Sequence, residues 1–208
     1  EIRRRKLDID WTVRTRADCV DKELLLAMSK AGCTTLMYGI ESGDPQVLKT
    51  LRKDTSLQYV RDVVGWTKHF GMKSLGFFIV GSPGDTLETI DRTIDFACAL
   101  DLDYVQFTKM TPFPNTEIYD MYMKEYGEDY WRNFTLDQSC EKELPLVGTS
   151  ITEKEAFGYI KKAYLRFYFR PSYIWKALMR MGSFMELKNN IKAAIGILLS
   201  KQHLVDST

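Results

Sequence analysis

The stretch Ser74–Thr86 reads SLGFFIVGSPGDT and is the clearest indication of the fold. Its first part, Ser74–Val80, is a short and mainly apolar run, and its second part, Gly81–Asp85, is a turn rich in glycine and proline. An apolar run of this length that ends in such a turn predicts a buried β-strand. Apolar residues then recur at helical spacing, at Leu87, Ile90, Ile94 and Ala97. The stretch therefore predicts a strand, a turn and an amphipathic helix.

The same order of strand, turn and helix occurs at three other places in the chain. We expect the other strands at Ile9–Thr15, Thr35–Ile40 and Asp103–Lys109. Strands that alternate with helices are typical of right-handed βαβ units and a parallel sheet, so the predicted fold class is α/β. Another helix is predicted near Asp21–Lys30. A further helix should begin at Pro45 after the cap Asp44, and the next should run from the cap Ser56 to Gly71. Asp85 and Glu88 are the predicted caps of the helix after the third strand.

The pattern changes near residue 129, so we place a boundary between a βα domain, 1–128, and an extension, 129–208. We expect Trp131–Val147 to be an irregular linker. A helix that begins near Thr152 is expected to end at Pro171, because proline cannot continue a helix. Two more helical stretches are predicted at Tyr173–Met181 and Phe184–Leu199.

Composition excludes several classes of protein. Of the 208 residues, 45% are hydrophobic and 27% are charged, which excludes a disordered or collagenous chain. The formal net charge of +1 gives no reason to expect a nucleic-acid partner. No apolar run approaches the ~18 residues of a membrane helix. The four cysteines lack the close spacing of a zinc site, so we expect no metal ligand in this chain. Scattered cysteines indicate reduced thiols, so we expect a soluble cytoplasmic protein. They are Cys19, Cys33, Cys98 and Cys140.

Polar residues follow each predicted strand and form the candidate site. In parallel α/β folds the ligand lies at the carboxyl ends of the strands. There, arginines suit a carboxylate, and Glu41 suits an ammonium or ribose hydroxyls, so we expect a zwitterionic ligand with a ribose and a base. No nucleophile has a base beside it, so catalytic residues are not assigned. The candidates are Arg14, Arg16, Glu41, Ser42, Ile79, Gly81, Gln106, Thr108, Lys109 and the turn Pro112–Thr116, which includes Phe113.

Four motifs and the tail resemble one known family when they are taken in order. They resemble the later half of a radical S-adenosylmethionine (SAM) barrel, and the tail is similar to the branch with an N-terminal cobalamin-binding domain. That branch includes enzymes similar to the anaerobic magnesium-protoporphyrin monomethyl ester cyclase. The matching segments are Trp11–Asp18 (WTVRTRAD), Tyr38–Gly43 (YGIESG), Phe78–Thr86 (FIVGSPGDT), Pro112–Tyr119 (PFPNTEIY) and Ala163–Pro171 (AYLRFYFRP).

The resemblance implies that this chain is a C-terminal fragment that begins before the third strand of a six-strand partial barrel. The family's CxxxCxxC loop, which holds a [4Fe–4S] cluster, and its cobalamin domain are absent from these residues. We therefore expect the chain to be inactive alone and its partner to be the missing N-terminal half of its barrel. The outer edge of Ile9–Thr15 would then be open, which favours self-association. Asn115 and Asp85 stand where the family usually has Gly and Glu.

The resemblance also implies roles for the candidate residues. Glu41 and Ser42 would face the ribose or amino end of SAM, and Arg16, with Arg14, its carboxylate or sulfonium side. Ile79 and Gly81 would line the adenine, and Phe113 would close the last side. The intact enzyme would generate a 5′-deoxyadenosyl radical or transfer a methyl group to an unknown small molecule.

Two other functions are compatible with the residues. One is a different α/β-barrel enzyme that binds a phosphorylated metabolite at Gly81–Thr86. The other is a non-catalytic interaction module whose helical tail, including Phe184–Leu199, contacts a partner or a membrane surface.

Overall fold

The computed structural model describes residues 1, 2, 4, 5, 7–137 and 144–180. Four parallel strands form one sheet in the order β1-β2-β3-β4, which confirms the predicted α/β class. The strands are β1 Trp11–Thr15, β2 Cys33–Glu41, β3 Lys73–Val80 and β4 Tyr104–Lys109. The helices are α1 Lys22–Ser29, α2 Pro45–Thr50, α3 Leu57–His69, α4 Leu87–Ala99, α5 Glu117–Tyr126, α6 Tyr130–Leu136, α7 Glu153–Tyr168 and α8 Pro171–Arg180.

The region after β4 differs from the prediction. Helix α6 lies inside the stretch that was expected to be irregular, and α5 precedes it. Both begin at side-chain caps: the Thr116 hydroxyl accepts a hydrogen bond from the Tyr119 amide, and the Asp129 carboxylate accepts one from the Arg132 amide. Each cap satisfies a backbone amide of the first turn and so helps the helix to begin.

Three further predictions concern helix ends. Thr86, rather than Asp85, caps α4, because the Thr86 hydroxyl accepts from the Thr89 amide. Helix α7 ends at Tyr168, and Pro171 begins α8, where its missing N–H costs nothing. The predicted helix Phe184–Leu199 lies outside the described residues.

The chain divides into two compact units, Glu1–Ala163 and Tyr164–Thr208. The boundary between residues 128 and 129 that the sequence suggested stays a prediction. Within the described ranges, no helix has both the length and the apolar character that crossing a membrane requires.

Helices cover one face of the sheet, and the buried side chains of the strands belong to that face. Tyr38 and Phe78 are fully buried, and the Tyr38 hydroxyl lies 2.6 Å from the hydroxyl of Thr67 in α3. Ile40 and Val80 alternate with partly exposed neighbours along their strands. Successive residues of a strand point to opposite faces. The alternation therefore shows, for each strand residue, whether its side chain lies on the helix-covered face or on the opposite face.

We call the opposite side of the sheet, which is only partly covered in the described residues, the open face. The strand register arranges its residues in three rows. The rows are Arg14, Met37, Leu75 and Tyr104; then Gly39, Phe77 and Gln106; then Ile79 and Thr108 at the carboxyl end.

The turn after β3 is built around the buried carboxylate of Asp85, which is 2% exposed. One carboxylate oxygen accepts hydrogen bonds from the amides of Gly81 and Ser82, at 3.0 and 2.9 Å. The other accepts from the hydroxyl of Thr89, at 2.7 Å. Burial raises the pKa of Asp85, although the bonds from Thr89, Ser82 and Gly81 act against this rise. The carboxylate therefore fixes the path of the chain from β3 into α4.

Residues 144–151, which we call the strap, pack on this turn. The Gly84 amide donates to the Gly148 carbonyl at 2.8 Å, and the Thr149 hydroxyl donates to the Asp85 carbonyl at 2.8 Å. Gly81 has a φ of 85°, and a Cβ added there would lie 2.6 Å from a methyl carbon of Leu146. Glycine is thus required at this position by both the backbone conformation and the strap.

We predict that Asp85→Ala lowers the free energy of unfolding by about 1–3 kcal/mol, because two buried amides and a hydroxyl lose their acceptor. Asp85→Asn keeps one acceptor oxygen of the same size and should cost less. Urea denaturation of the 208-residue chain measures both variants. A cost for the alanine variant no larger than that for the asparagine variant would contradict the account of this turn.

Candidate functional site

An ion pair lies at the carboxyl end of β2 on the open face. The Lys53 ammonium is 2.8 Å from a carboxylate oxygen of Glu41, and their side chains are only 15% and 18% exposed. The same ammonium donates a hydrogen bond to the Gly39 carbonyl at 2.8 Å. A pair so withdrawn from water interacts more strongly than a surface pair.

Gly39 determines which face of the sheet carries this pair. It lies between the buried residues Tyr38 and Ile40, so its missing side chain would project from the open face. A Cβ added to Gly39 would meet Glu41 Oε1 at 2.6 Å and Lys53 Nζ at 3.2 Å. The ion pair therefore occupies the space that a side chain at position 39 would fill.

The backbone at Glu41 is unusual and aims its side chain at this position. Glu41 has a φ of 69°, which residues other than glycine rarely adopt. The register between β2 and β3 also shifts there, since Gly39 pairs with Phe77 while Glu41 pairs with Phe78. Residues in such conformations concentrate at functional sites.

Apolar and polar groups surround the pair on the open face. Phe77 and Ile79 are partly exposed, and Gln106 and Thr108 on β4 are exposed. The Arg14 guanidinium lies 5.2 Å from the centre of the Phe77 ring, which confirms that these two side chains share a face. The face thus combines two cations, a carboxylate, an apolar surface, an amide and a hydroxyl.

Arg16, the other predicted cation, makes a contact of its own beyond the end of β1. It forms two hydrogen bonds to the carboxylate of Asp18, at 2.9 and 2.6 Å. The Arg16 side chain holds the pKa of Asp18 down, at about 2, and Asp18 raises the pKa of Arg16 in turn. Of the two predicted arginines, Arg14 contacts a residue of the open face and Arg16 an acidic neighbour.

Three other predicted site residues lie elsewhere. The Ser42 hydroxyl is buried and lies 3.0 Å from the hydroxyl of Thr93 in α4, on the helix-covered side. Gly81 lies under Leu146 of the strap. Phe113 is 56% exposed and stacks on Trp131, with ring centres 5.4 Å apart. Arg14, Glu41 and Ile79 therefore share the open face, whereas the contacts of Ser42, Gly81 and Phe113 lie elsewhere.

Lys53 is a residue of the candidate site that sequence reasoning missed. It follows α2 rather than a strand, and the rule that selects residues at strand ends passes over it. One signal could have found it: the buried end of β2 carries the carboxylate of Glu41, and a buried carboxylate requires a cation. Candidate cations occur in the short segment between α2 and α3.

The turn Gly81–Thr86 is a poor site for a phosphate. The amides of Gly81 and Ser82 donate to Asp85, and the Thr86 amide donates to the Thr89 hydroxyl. A buried carboxylate there would repel a phosphate. This geometry argues against the alternative enzyme that binds a phosphorylated metabolite.

The described residues also do not fit an iron–sulfur cluster. No group of three or more His, Cys, Asp or Glu side chains within these ranges is arranged to hold a metal ion. The whole sequence contains no CxxxCxxC motif. A cavity of about 340 Å³ lies instead at α5 and α6 and is lined by residues that include Pro114, Tyr119, Trp131 and Leu136.

Comparisons with known proteins agree with this fold. The sequence profile of the Radical SAM superfamily matches residues 1–97. An uncharacterized methyltransferase of Pyrococcus horikoshii is 34% identical over 95% of this chain and 41% of its own length. The anaerobic magnesium-protoporphyrin IX monomethyl ester cyclase of Cereibacter sphaeroides is 26% identical over 90% of this chain and 31% of its own length.

A solved structure has the same fold. The radical SAM methyltransferase TsrM from Kitasatospora setae, with cobalamin and a [4Fe–4S] cluster bound, aligns with a TM-score of 0.52 at 22% identity, over 59% of this chain and 26% of that protein. This chain spans less than half the length of the two curated relatives. The parallel sheet, the order of its motifs and these relatives lead to one conclusion: residues 1–97 match the radical SAM superfamily, and the chain is similar to proteins of that superfamily.

Proposed function

We propose that this chain supplies the SAM-binding part of a radical SAM enzyme that generates a 5′-deoxyadenosyl radical or transfers a methyl group to a small molecule. The observation that carries the proposal is the Glu41–Lys53 pair on the open face, at the carboxyl end of β2. Ligands of parallel α/β folds bind at this end of the sheet.

The pair suits the amino acid end of SAM. That end carries one ammonium and one carboxylate, so it offers a group of opposite charge to each side chain of the pair. Lys53 would bind the carboxylate of SAM, and Glu41 would bind its ammonium or a ribose hydroxyl. The exchange keeps the local charge balanced. Because both side chains are already largely withdrawn from water, little further desolvation is needed when SAM binds.

The rest of the open face suits the remainder of the ligand and a substrate. Ile79 and Phe77 offer an apolar surface for the adenine ring, and Arg14 offers a cation near the carboxylate or sulfonium side. Gln106 and Thr108 would donate or accept hydrogen bonds to ribose or to a small substrate. Arg16 keeps the role that the family resemblance implies, as a proposal, whereas the contacts of Ser42, Gly81 and Phe113 do not support a role for them on the open face.

We propose that the cluster and any cobalamin are held by residues outside this chain. When bound, the reduced cluster supplies the electron for SAM cleavage, and cobalamin supplies methyl transfer. The cobalamin and the cluster bound to TsrM support this assignment. The work of this chain is to hold the amino acid end of SAM and to place its adenine on the apolar rows of the open face.

We also propose where the neighbouring part of the protein binds. Strand β1 pairs with β2 on one side, and no described strand pairs with its other edge. The curated relatives are more than twice as long as the matched region, so a strand from the rest of the protein would pair with that edge. A second copy of this chain is the competing partner. A cytoplasmic location agrees with the unbridged thiols Cys19 and Cys33.

The proposal is tested on the protein as its gene encodes it. After anaerobic reconstitution with iron and sulfide, we expect this protein to convert SAM to 5′-deoxyadenosine or S-adenosylhomocysteine under reducing conditions. Liquid chromatography with mass spectrometry quantifies both products. If neither product forms while the iron content matches a [4Fe–4S] cluster, the proposed function is wrong.

We predict that Glu41→Ala weakens SAM binding by about 1–3 kcal/mol, the usual cost of losing a charge-assisted hydrogen bond. Lys53→Met should weaken it to a similar extent, since it removes the cation that faces the carboxylate. Equilibrium dialysis against labelled SAM measures the dissociation constants. Glu88→Ala is the matched control, because it also removes a carboxylate paired with a basic residue, Arg92, but on an exposed part of α4. Affinity unchanged by Glu41→Ala would exclude this carboxylate from the site.

We predict that Gly39→Ala also weakens SAM binding, because its Cβ would displace the Glu41–Lys53 pair. The control is Gly65→Ala in α3, where an added Cβ meets no atom within 4 Å. That substitution should leave binding unchanged and stabilise the helix slightly. Thermal unfolding of both variants shows whether the fold is retained. Equal SAM affinities for the two folded variants would contradict the assigned position of the pair.

A further inference from the structure

The second unit of the chain differs in charge from the first. From Tyr164 to Thr208 the sequence has seven Lys and Arg residues against two Asp and Glu, a formal net charge of +5. The first 163 residues have 22 against 26, a formal net charge of −4. A near-neutral protein therefore carries its excess positive charge in its last 45 residues. A charge asymmetry of this size indicates a partner with negative charge.

The described part of the same unit exposes large apolar side chains. Trp175 is 66% exposed, Met179 73% and Ile174 42%, all in α8, and Phe169 just before this helix is 54% exposed. Residues four apart share one side of a helix, so Trp175 and Met179 lie on the same side, next to Ile174. Exposed aromatic and apolar residues on one side of a helix, within a basic segment, are typical of helices that lie on a membrane surface.

We propose that the unit Tyr164–Thr208 binds the surface of membranes rich in anionic phospholipids. Ile174, Trp175 and Met179 would insert among the headgroups and upper acyl chains, and the excess positive charge would attract the anionic headgroups. The ten described residues of helix α8 are fewer than the ~20 that a bilayer-spanning helix needs, so we propose a contact of this helix with one membrane surface.

Charge argues against the two other partners that the exposed side chains suggest. Two copies of a segment with a net charge of +5 repel each other, which disfavours self-association through this unit. A nucleic acid would be attracted by the charge, but it would leave the apolar side chains Ile174 and Met179 without a nonpolar environment. An anionic membrane surface satisfies both the charge and the apolar residues.

Flotation of the 208-residue chain with vesicles tests the proposal. Vesicles of phosphatidylcholine alone are compared with vesicles containing about 30% phosphatidylglycerol, at low and at raised salt. We expect binding to the anionic vesicles only, and weaker binding as salt rises, because salt screens the attraction. The variant Trp175→Glu with Met179→Glu should reduce the bound fraction about tenfold. Leu136→Glu, which changes an equally exposed apolar residue of the first unit, is the matched control.

The outcomes separate the possible partners. Equal binding to both kinds of vesicle, no binding to either, or equal losses for the Leu136 variant and the Trp175 variant would overturn the proposal. Binding to single-stranded RNA that exceeds vesicle binding, or a dimer that the Trp175 variant abolishes in light scattering, would overturn it as well. Salt-sensitive binding to the anionic vesicles alone, lost in the Trp175 variant and kept in the Leu136 variant, would support it.

Discussion

In a β-strand successive side chains point to opposite faces of the sheet, and the candidate site depends on this alternation. Tyr38, Ile40, Phe78 and Val80 are buried on the face that the helices cover. The residues between them must then lie on the open face, in rows that the parallel register sets. A register shift of one residue would move Phe77 and Ile79 to the helices and remove the apolar surface proposed for adenine.

Two carboxylates near the ends of neighbouring strands are stabilised in different ways. The difference indicates which of them holds the fold and which belongs to the candidate site. Asp85 is enclosed by backbone amides and the Thr89 hydroxyl, so its contacts are complete within its own turn. Glu41 pairs with one flexible lysine and projects from the open face. We propose that a ligand replaces Lys53 as the partner of Glu41, whereas the carboxylate of Asp85 is buried. The turn after β3 therefore supports the site, and the end of β2 provides its charged groups.

Much of the fold could be predicted from the sequence, because the apolar period of strands and helices is a local signal. Arg14, Glu41 and Ile79 were selected by the rule that ligands lie at strand ends, and they share the open face. Lys53 was missed for two reasons. It follows a helix rather than a strand, and its contact with Glu41 forms only in the tertiary structure. Ser42 follows Glu41 directly, and its hydroxyl lies on the opposite face, beside Thr93 of α4, as the alternation of neighbouring residues predicts. Helices α5 and α6 were not predicted, although their caps Thr116 and Asp129 are residue types that often begin helices.

Hydrogen–deuterium exchange of the full-length protein, measured with and without SAM, tests most directly whether SAM binds on the open face. The account predicts slower exchange in peptides that cover residues 37–43, 51–55 and 75–80, because these contain the Glu41–Lys53 pair and the apolar rows. Peptides from α5 and α6, which line the separate cavity, should be unchanged. Protection confined to α5 and α6, with none at the ends of β2 and β3, would contradict the account.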